Sequence, residues 1–187
     1  MKKDILNLDR DLLLTINGHH NEILDAIFTA VSDRFFWIPF YLLILYSIYK
    51  TYGQQTIRLL FLIAIIILIS DQVSVFFKET WMRPRPTHNV SIYPQLHLVS
   101  TYLGGQYGFY SSHASNSAAV FVFSWIFLTL KNPYLKPLLL LYFISVGYSR
   151  VYLGYHYPLD VLMGWLMGYL ISALIIKIVI EKTKFIQ

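Results

Sequence analysis

Long apolar stretches separated by short polar segments dominate the sequence from residue 35 onward. Each is shorter than the ~18 apolar residues of an obvious transmembrane helix. Flanking lysines can extend them, because their apolar stems stay in lipid while the ammonium group reaches the interface. The pattern predicts five transmembrane helices, built on the uncharged stretches 35–49, 59–70, 114–130, 137–149 and 161–176.

The N-terminal part of the chain has an amphipathic pattern instead. A second apolar stripe, between Ile23 and Val31, either lengthens the first span or forms a short sixth one. The N-terminus lacks the compact apolar core of a cleavable signal peptide. Residues 1–20 are expected to form an interfacial amphipathic helix, because apolar residues recur at helical spacing among charged ones, at Ile5, Leu8, Leu12 and Ile16.

The fold class expected from these patterns is an all-α polytopic membrane bundle. It has five or six transmembrane helices and an N-terminal interfacial helix, folded as a single domain over residues 1–187. The composition agrees, since 56% of the residues are apolar and only 13% are charged, against about 25% charged in soluble domains. The chain has no cysteine, which excludes disulfides and thiolate metal sites.

The net charge of +5 favours a membrane rather than a nucleic acid as partner, because the cations stand singly between apolar runs. The positive-inside rule predicts a cytoplasmic C-terminus and places one set of cations in the cytoplasm. That set is Lys50, Arg58, Lys131, Lys136, Lys182 and Lys184.

Three polar motifs interrupt the apolar pattern on the opposite, outer side. Each stands where a predicted span meets that side, and alternate crossings return all three to one face. They read Lys78-x6-Arg85-Pro86, Ser111-Ser112-His113 and Ser149-Arg150-x5-His156-x3-Asp160.

The charges in these motifs favour a bound phosphate. Lys78, Arg85 and Arg150 would repel one another without an anion, since Asp160 is the one acid nearby. Arginine offers a planar fork for two phosphate oxygens and lysine a point charge. Serines are typical of helix N-caps, where free backbone N–H groups suit an anion. We therefore predict phosphate binding by Lys78, Arg85, Ser111, Ser112 and Arg150.

The two motif histidines suit different steps of phosphate transfer. His156 and Asp160 lie four residues apart near a helix start, so the carboxylate can accept the Nδ1 proton and leave Nε2 free to attack phosphorus. His113 has no such partner in sequence and suits protonation of the leaving oxygen, then activation of water. The expected catalytic residues are His156, His113 and Asp160.

Together the motifs resemble the three signature motifs of the phosphatidic-acid phosphatase type 2 superfamily, which holds membrane lipid-phosphate phosphatases and, more distantly, vanadium-dependent haloperoxidases. The resemblance is close over residues 78–160. It implies a helical core, hydrolysis without metal or cofactor, and a phosphohistidine intermediate. It also implies that His156 is the nucleophile, Asp160 its orienting group and His113 the acid/base, with phosphate held by Lys78, Arg85, Ser111 and Arg150.

The middle motif departs from the family's usual Pro-Ser-Gly-His, because Tyr110 replaces the proline and Ser112 the glycine. Serine keeps the backbone N–H donor and adds a hydroxyl, but it tolerates positive φ poorly. We therefore expect an ordinary helix entry at Ser112.

Two further features concern the surroundings of the site. The extracytoplasmic loop over residues 83–111 is long for a connection and can act as a lid or headgroup selector. Gly164 and Gly168 in the last span permit close helix packing, for which contacts within the monomer are favoured over dimerisation.

The sequence thus predicts a hydrolase in the bacterial inner membrane, with its active site on the extracytoplasmic face. It would remove phosphate from a lipid-linked phosphate or diphosphate such as undecaprenyl diphosphate or lipid A. Phosphatidylglycerol phosphate is an alternative substrate, and transfer to another lipid is an alternative reaction. A haloperoxidase is disfavoured by the spans and a non-enzymatic scaffold by the complete set of catalytic positions. The oligomeric state stays open.

The other histidines (His19, His20, His88 and His97) are expected in surface or structural contacts. His113, His156 and Asp160 are residue types that bind zinc, but three neighbouring cations oppose a metal there.

Overall fold

The computed structural model describes residues 2–182; residue 1 and residues 183–187, among them Lys184, lie outside the described part. Residues 2–182 contain no β-strand, which confirms the predicted all-α class. Short 3₁₀ turns lie at Gly53–Gln55, Pro86–His88 and Tyr93–Gln95. Seven α-helices form the bundle: α1 (Lys2–Gly18), α2 (Glu22–Ser32), α3 (Ile38–Tyr52), α4 (Thr56–Trp81), α5 (Ser112–Leu128), α6 (Leu135–Tyr152) and α7 (Pro158–Lys182).

The second apolar stripe forms α2, a helix separate from the first predicted span. Asn21 starts it, because its side chain accepts a hydrogen bond from the Leu24 N–H at 2.9 Å. A turn then separates α2 from α3, whose first turn contains Pro39. At 1.5 Å per residue, α2 is only about 16 Å long, so it is too short to cross a bilayer core of about 30 Å.

The five predicted apolar stretches correspond to α3–α7. Stretches 59–70, 137–149 and 161–176 lie inside α4, α6 and α7, whereas 35–49 begins three residues before α3 and 114–130 runs two residues past α5. Within residues 2–182, two helical stretches are long and apolar enough to cross a membrane, Ile38–Trp81 and Pro158–Glu181. Large apolar side chains on α4 point away from the protein, with Phe61 67%, Leu68 60% and Phe76 62% exposed, a surface suited to lipid. Five crossings stay a prediction.

Helix α5 lies at the centre of the bundle, against α4, α6 and α7. Its tightest contact is with α7. A Cβ atom added to Gly168 would lie 2.1 Å from the Ser115 carbonyl oxygen, and one on Gly164 would lie 2.6 Å from that of Ser111. The predicted role of the two glycines in packing within the monomer is confirmed.

Helix α1 uses two faces. Three residues of its apolar stripe are exposed, with Ile5 49%, Leu8 60% and Leu12 43% accessible, as expected of a helix at a lipid interface. The fourth, Ile16, packs against the protein. The face carrying Asp9, Leu13 and Asn17 is buried against the protein. The membrane position of α1 stays a prediction, but its second face packs onto α6 and α7.

The order of the helices brings the three motifs to one end of the bundle. Helix α4 ends and α5 begins at that end, and the turn from α6 into α7 returns to it. The predicted cytoplasmic cations Lys50, Arg58 and Lys131 lie near the opposite helix ends.

Candidate active site

The first motif is shaped by pairing within the loop between α4 and α5. The Arg85 N–H donates to the Gln106 carbonyl at 3.0 Å, and the Gly108 N–H donates to the Arg83 carbonyl at 2.9 Å. The Arg85 side chain lies along the paired segment, with Nε donating to the Tyr107 carbonyl at 3.2 Å. The pairing of these two loop segments therefore fixes the position of the Arg85 guanidinium, which the motif spacing alone does not determine.

The second motif starts α5 in the expected ordinary geometry. Ser111 is the N-cap, and its side chain accepts a hydrogen bond from the Ala114 N–H at 3.4 Å. Its own N–H donates to the Asp160 carbonyl at 3.0 Å, which joins the starts of α5 and α7. The hydroxyl of Ser112 accepts from the Lys78 ammonium and lies 2.8 Å from the Ser74 hydroxyl. The serine that replaces the family's glycine thus holds the motif lysine.

The third motif places His156 and Asp160 in the interior, 1% and 0% exposed. The backbone N–H groups of Tyr155 and His156 both donate to the Arg150 carbonyl, which folds the segment back at the end of α6. His156 Nδ1 lies 3.5 Å from Asp160 Oδ2 and makes no hydrogen bond within the described residues. The predicted orienting pair, His156 and Asp160, is therefore adjacent, but the distance between its two atoms exceeds that of a usual hydrogen bond. Such distances in catalytic sites often shorten when substrate binds.

Gly108 shows that the first and third motifs meet. A Cβ atom added there would lie 3.0 Å from Arg85 Cγ, 3.2 Å from Asp160 Oδ2 and 3.5 Å from His156 Nδ1. A Cβ atom there would press on Arg85 and Asp160 and would be in van der Waals contact with His156. The charges of Lys78, Arg85 and Arg150 also act on both His113 and His156.

A cavity of about 540 Å³ opens at this end of the bundle. Arg85, His113 and Arg150 form its motif wall, whereas His156 and Lys78 do not line it. Arg150 is held from outside the motifs, because its Nη1 donates to the Ser32 hydroxyl at the end of α2. The rest of the wall comes from the loop, from α2 and the segment after it, and from the turn after α6; it includes Ser32, Asp33, Arg34, Val99, Ser100, Tyr102 and Leu153.

Comparison with known proteins identifies the family. A sequence profile described as the PAP2 superfamily matches residues 55–184, which contain all three motifs. The chain belongs to the PAP2 superfamily.

Two relatives and one solved structure illustrate its place in that family. It is 31% identical over 179 residues to a lipid A 4'-phosphatase of Porphyromonas gingivalis, covering 93% of this chain and 74% of the relative. It is 25% identical over 173 residues to the undecaprenyl-diphosphatase BcrC of Bacillus subtilis, covering 90% and 80%. The structure of a transmembrane PAP2 type phosphatidylglycerolphosphate phosphatase from Bacillus subtilis is similar at a TM-score of 0.68 and 21% identity, covering 97% and 89%.

These relatives are lipid phosphatases, and the likeness to the solved structure gives the PAP2 membrane phosphatase fold. The roles of the individual PAP2 motif residues stay predictions.

Arg83 and Asp9 belong to the site although sequence reasoning assigned them no role in it. Arg83 Nη1 donates to Asp160 Oδ1 at 2.7 Å, and its Nη2 donates to Asp9 Oδ2 at 2.5 Å. Asp9 Oδ1 accepts the Leu159 N–H at 2.8 Å, at the start of α7. Arg83 thus ties the motif carboxylate to α1. The separation of Asp9 from Leu159 by 150 positions left no local signal for this contact.

The charges in this network depend on one another. Burial would lower the pKa of Arg83, but Asp160 and Asp9 outweigh burial and raise it. Burial raises the pKa of Asp9, which Arg83 and the Leu159 N–H oppose. The guanidinium therefore remains a cation between two buried carboxyl groups.

The pH profile of the enzyme should reflect a neutral His156. Burial lowers the pKa of His156 well below its ordinary value of 6.5, and Arg85, Arg150 and Lys78 lower it further. As pH falls, this imidazole stays unprotonated while the substrate phosphate takes up a proton near pH 6. We expect the logarithm of kcat/KM to fall between about pH 6 and 5 with a slope of at most about one. A slope of two would mean that His156 also gains a proton there and would contradict the expectation.

Proposed function

We propose that this protein is an integral membrane phosphatase that hydrolyses a lipid-linked phosphate through a phosphohistidine on His156, and that lipid A is its substrate. The observation that carries the proposal is that the motif side chains converge at one end of the bundle. Arg85, His113 and Arg150 line one cavity, Arg85 and His156 lie around Gly108, and Lys78 donates to Ser112 next to His113. Lipid A is favoured by the 31% identity, over 93% of this chain, to a lipid A 4'-phosphatase.

The first chemical step is attack on phosphorus. Nε2 of His156 forms a bond to phosphorus while the bond between phosphorus and the lipid oxygen breaks. His113 gives a proton to that oxygen, so the lipid leaves as an alcohol. Lys78, Arg85 and Arg150 stabilise the negative charge spread over the phosphoryl oxygens.

The second step regenerates the enzyme. Water attacks the phosphohistidine and passes a proton to His113, the N–P bond breaks, and inorganic phosphate leaves. Asp160 supports both steps because its carboxylate accepts the Nδ1 proton of His156 and keeps the reactive nitrogen in one orientation. No step calls for a metal or cofactor, since the cations supply the positive charge.

The lipid tail has a place beside the site. A cavity of about 280 Å³ shares His113 and Arg34 with the larger polar cavity, and Tyr41, Asn116 and Tyr142 with an apolar cavity of about 400 Å³. Ile44, Leu60, Val120 and Phe123 line that apolar cavity. An acyl chain can enter this apolar cavity at little cost, because it leaves bilayer hydrocarbon that is as apolar as the cavity wall, while the phosphate stays near His113. The shared lining residues place the three cavities side by side, which suits a tailed substrate.

We place the site end of the bundle at the extracytoplasmic face of the bacterial inner membrane. The support is that lysines and arginines near the opposite helix ends, such as Lys50, Arg58 and Lys131, have no part in the proposed site and so count as topogenic charges. The likeness to bacterial membrane proteins supports the same placement.

Inorganic phosphate release tests this proposal. Purified protein is given lipid A, undecaprenyl diphosphate or phosphatidylglycerol phosphate at equal concentration, with and without a chelator. We expect kcat/KM to be at least about 10-fold higher for lipid A, unchanged by the chelator and abolished by orthovanadate. Labelled phosphate recovered on a second lipid instead of in water would make the protein a phosphotransferase, and no release from any substrate would refute the proposal.

Undecaprenyl diphosphate is the second candidate substrate. It is favoured by the 25% identity to an undecaprenyl-diphosphatase, which extends over 90% of this chain. A higher kcat/KM for this diphosphate than for lipid A would move the assignment to it.

A further inference from the structure

A second cluster of potential metal ligands lies outside the candidate active site. His20 comes from the link between α1 and α2, Asp25 from α2, and His97 from the loop between α4 and α5. One ligand atom from each residue lies within 4.8 Å of the others. The sequence predicts only surface or structural contacts for both histidines, and the proposed phosphatase reaction uses none of the three residues.

The arrangement of the ligand atoms is that of a site for one cation. His97 Nε2 and Asp25 Oδ2 are 2.9 Å apart, and the two imidazole rings stack at 3.6 Å and 3°. Ligand atoms in a tetrahedral zinc site with bonds near 2.0 Å are about 3.3 Å apart. The 2.9 Å between His97 Nε2 and Asp25 Oδ2 is close to this value, and all three ligand atoms lie within 4.8 Å of one another. Binding of an ion requires the exposed His20 ring to turn out of its stack on His97, so that a nitrogen points at the ion. We propose that His20, Asp25 and His97 bind a divalent transition-metal ion, with zinc as the best match to two imidazoles and one carboxylate.

The surrounding residues hold two of the three ligands in place. The buried Asn17 accepts the His97 N–H at 2.8 Å and donates to the His97 carbonyl at 2.8 Å and to the Tyr152 carbonyl at 2.7 Å. The Tyr152 hydroxyl donates to Asp25 Oδ1 at 2.7 Å, which leaves Oδ2 directed to His97. Outer hydrogen bonds of this kind orient metal ligands and raise affinity.

The metal would connect the loop to the N-terminal helices next to the polar cavity. His97 lies two residues before Val99, and Tyr152 directly precedes Leu153; both Val99 and Leu153 line that cavity. A bound ion joins three chain segments that otherwise meet through hydrogen bonds, so it should hold the loop against the cavity wall. The site is therefore structural, and it leaves the metal-free phosphatase chemistry intact.

Direct metal binding tests this site. Tag-free protein in detergent is titrated with Co²⁺, followed by visible absorption, and with Zn²⁺, followed by calorimetry. We expect one ion per chain and the absorption bands of tetrahedral cobalt. His20→Gln, Asp25→Asn and His97→Gln should each weaken binding at least about 10-fold. His88→Gln, which removes an exposed histidine of the same loop, should leave binding unchanged.

Because His20 is exposed, its substitution should leave the fold intact, so a loss of binding in that variant reports on the metal site itself. Its ring makes the stacking contact, so His20→Gln should keep the elution profile and helical circular dichroism of the parent. No binding of either ion at 100 μM, or undiminished binding in both His20→Gln and His97→Gln, would overturn the proposal. The latter result would assign the metal to the active-site histidines. Because the readout is binding, failure here is separate from failure of the phosphatase assignment.

Discussion

Replacing His156 by alanine should lower phosphate release by at least about 10⁴-fold, because no other side chain can form the phosphoryl intermediate. The effect should fall on kcat, since the cations that bind phosphate stay in place. The measurement is single-turnover release of phosphate from lipid A. His88→Ala is the matched control, because it removes an exposed histidine of the neighbouring loop and should keep full activity.

The two histidines can be told apart with a substrate whose leaving group needs no proton. With an aryl phosphate of this kind, His113→Ala should still form the phosphohistidine but hydrolyse it slowly, so acid-labile labelled enzyme accumulates. His156→Ala should give no labelled enzyme. Label on the His156→Ala variant, or full turnover by either variant, would reject these roles.

Replacing Arg83 by methionine should lower the free energy of unfolding by about 3–5 kcal/mol, because it leaves two buried carboxyl groups without their cation. Asp9 and Asp160 are 1% and 0% exposed at the side chain, and Arg83 is 20% exposed. Thermal unfolding in detergent should shift downward by about 6–20 °C. Arg10→Met is the matched control, since Arg10 pairs with Asp11 at the surface, is 46% exposed and should cost at most about 1 kcal/mol.

The same variant tests whether Arg83 positions the reaction. Without it, Asp160 can turn away from His156, so kcat should fall about 100-fold with KM little changed. Adding Asp9→Asn removes one of the two unpaired charges. The double variant should therefore be more stable, by about 1–3 kcal/mol, than the sum of the single effects predicts. Simple additivity would mean that Arg83 and Asp9 do not interact as the structure has them.

Much of the helical architecture could be predicted because it depends on local pattern. Each apolar stretch overlaps one of the helices α3–α7 along most of its length, and the N-terminal stripe falls within α1. The boundary between α2 and α3 depends on Asp33, whose side chain accepts the Phe35 N–H at 2.9 Å, and on Pro39 in the first turn of α3. Periodicity alone does not distinguish one long span from two separate helices, because the stripe between Ile23 and Val31 lies on one helical face in both cases.

The face of α1 that meets the protein was harder to predict. The apolar stripe is the feature that the sequence pattern reveals, whereas the face that is buried carries the polar residues Asp9 and Asn17. Polar residues are mostly exposed, so burial of these two is justified only by partners elsewhere in the chain. Those partners are Arg83 and the backbone of His97 and Tyr152.

The sequence by itself determined that this protein is a helical bundle with phosphate-binding chemistry at one end, because hydrophobic period and motif spacing are local properties of the chain. Only the tertiary structure decided that Arg83 links Asp160 to Asp9, that Ser112 holds Lys78, and that His20, Asp25 and His97 meet. These contacts join residues that are distant in the chain. Pairs at such separations leave no periodic signal, and they become neighbours only when the helices pack.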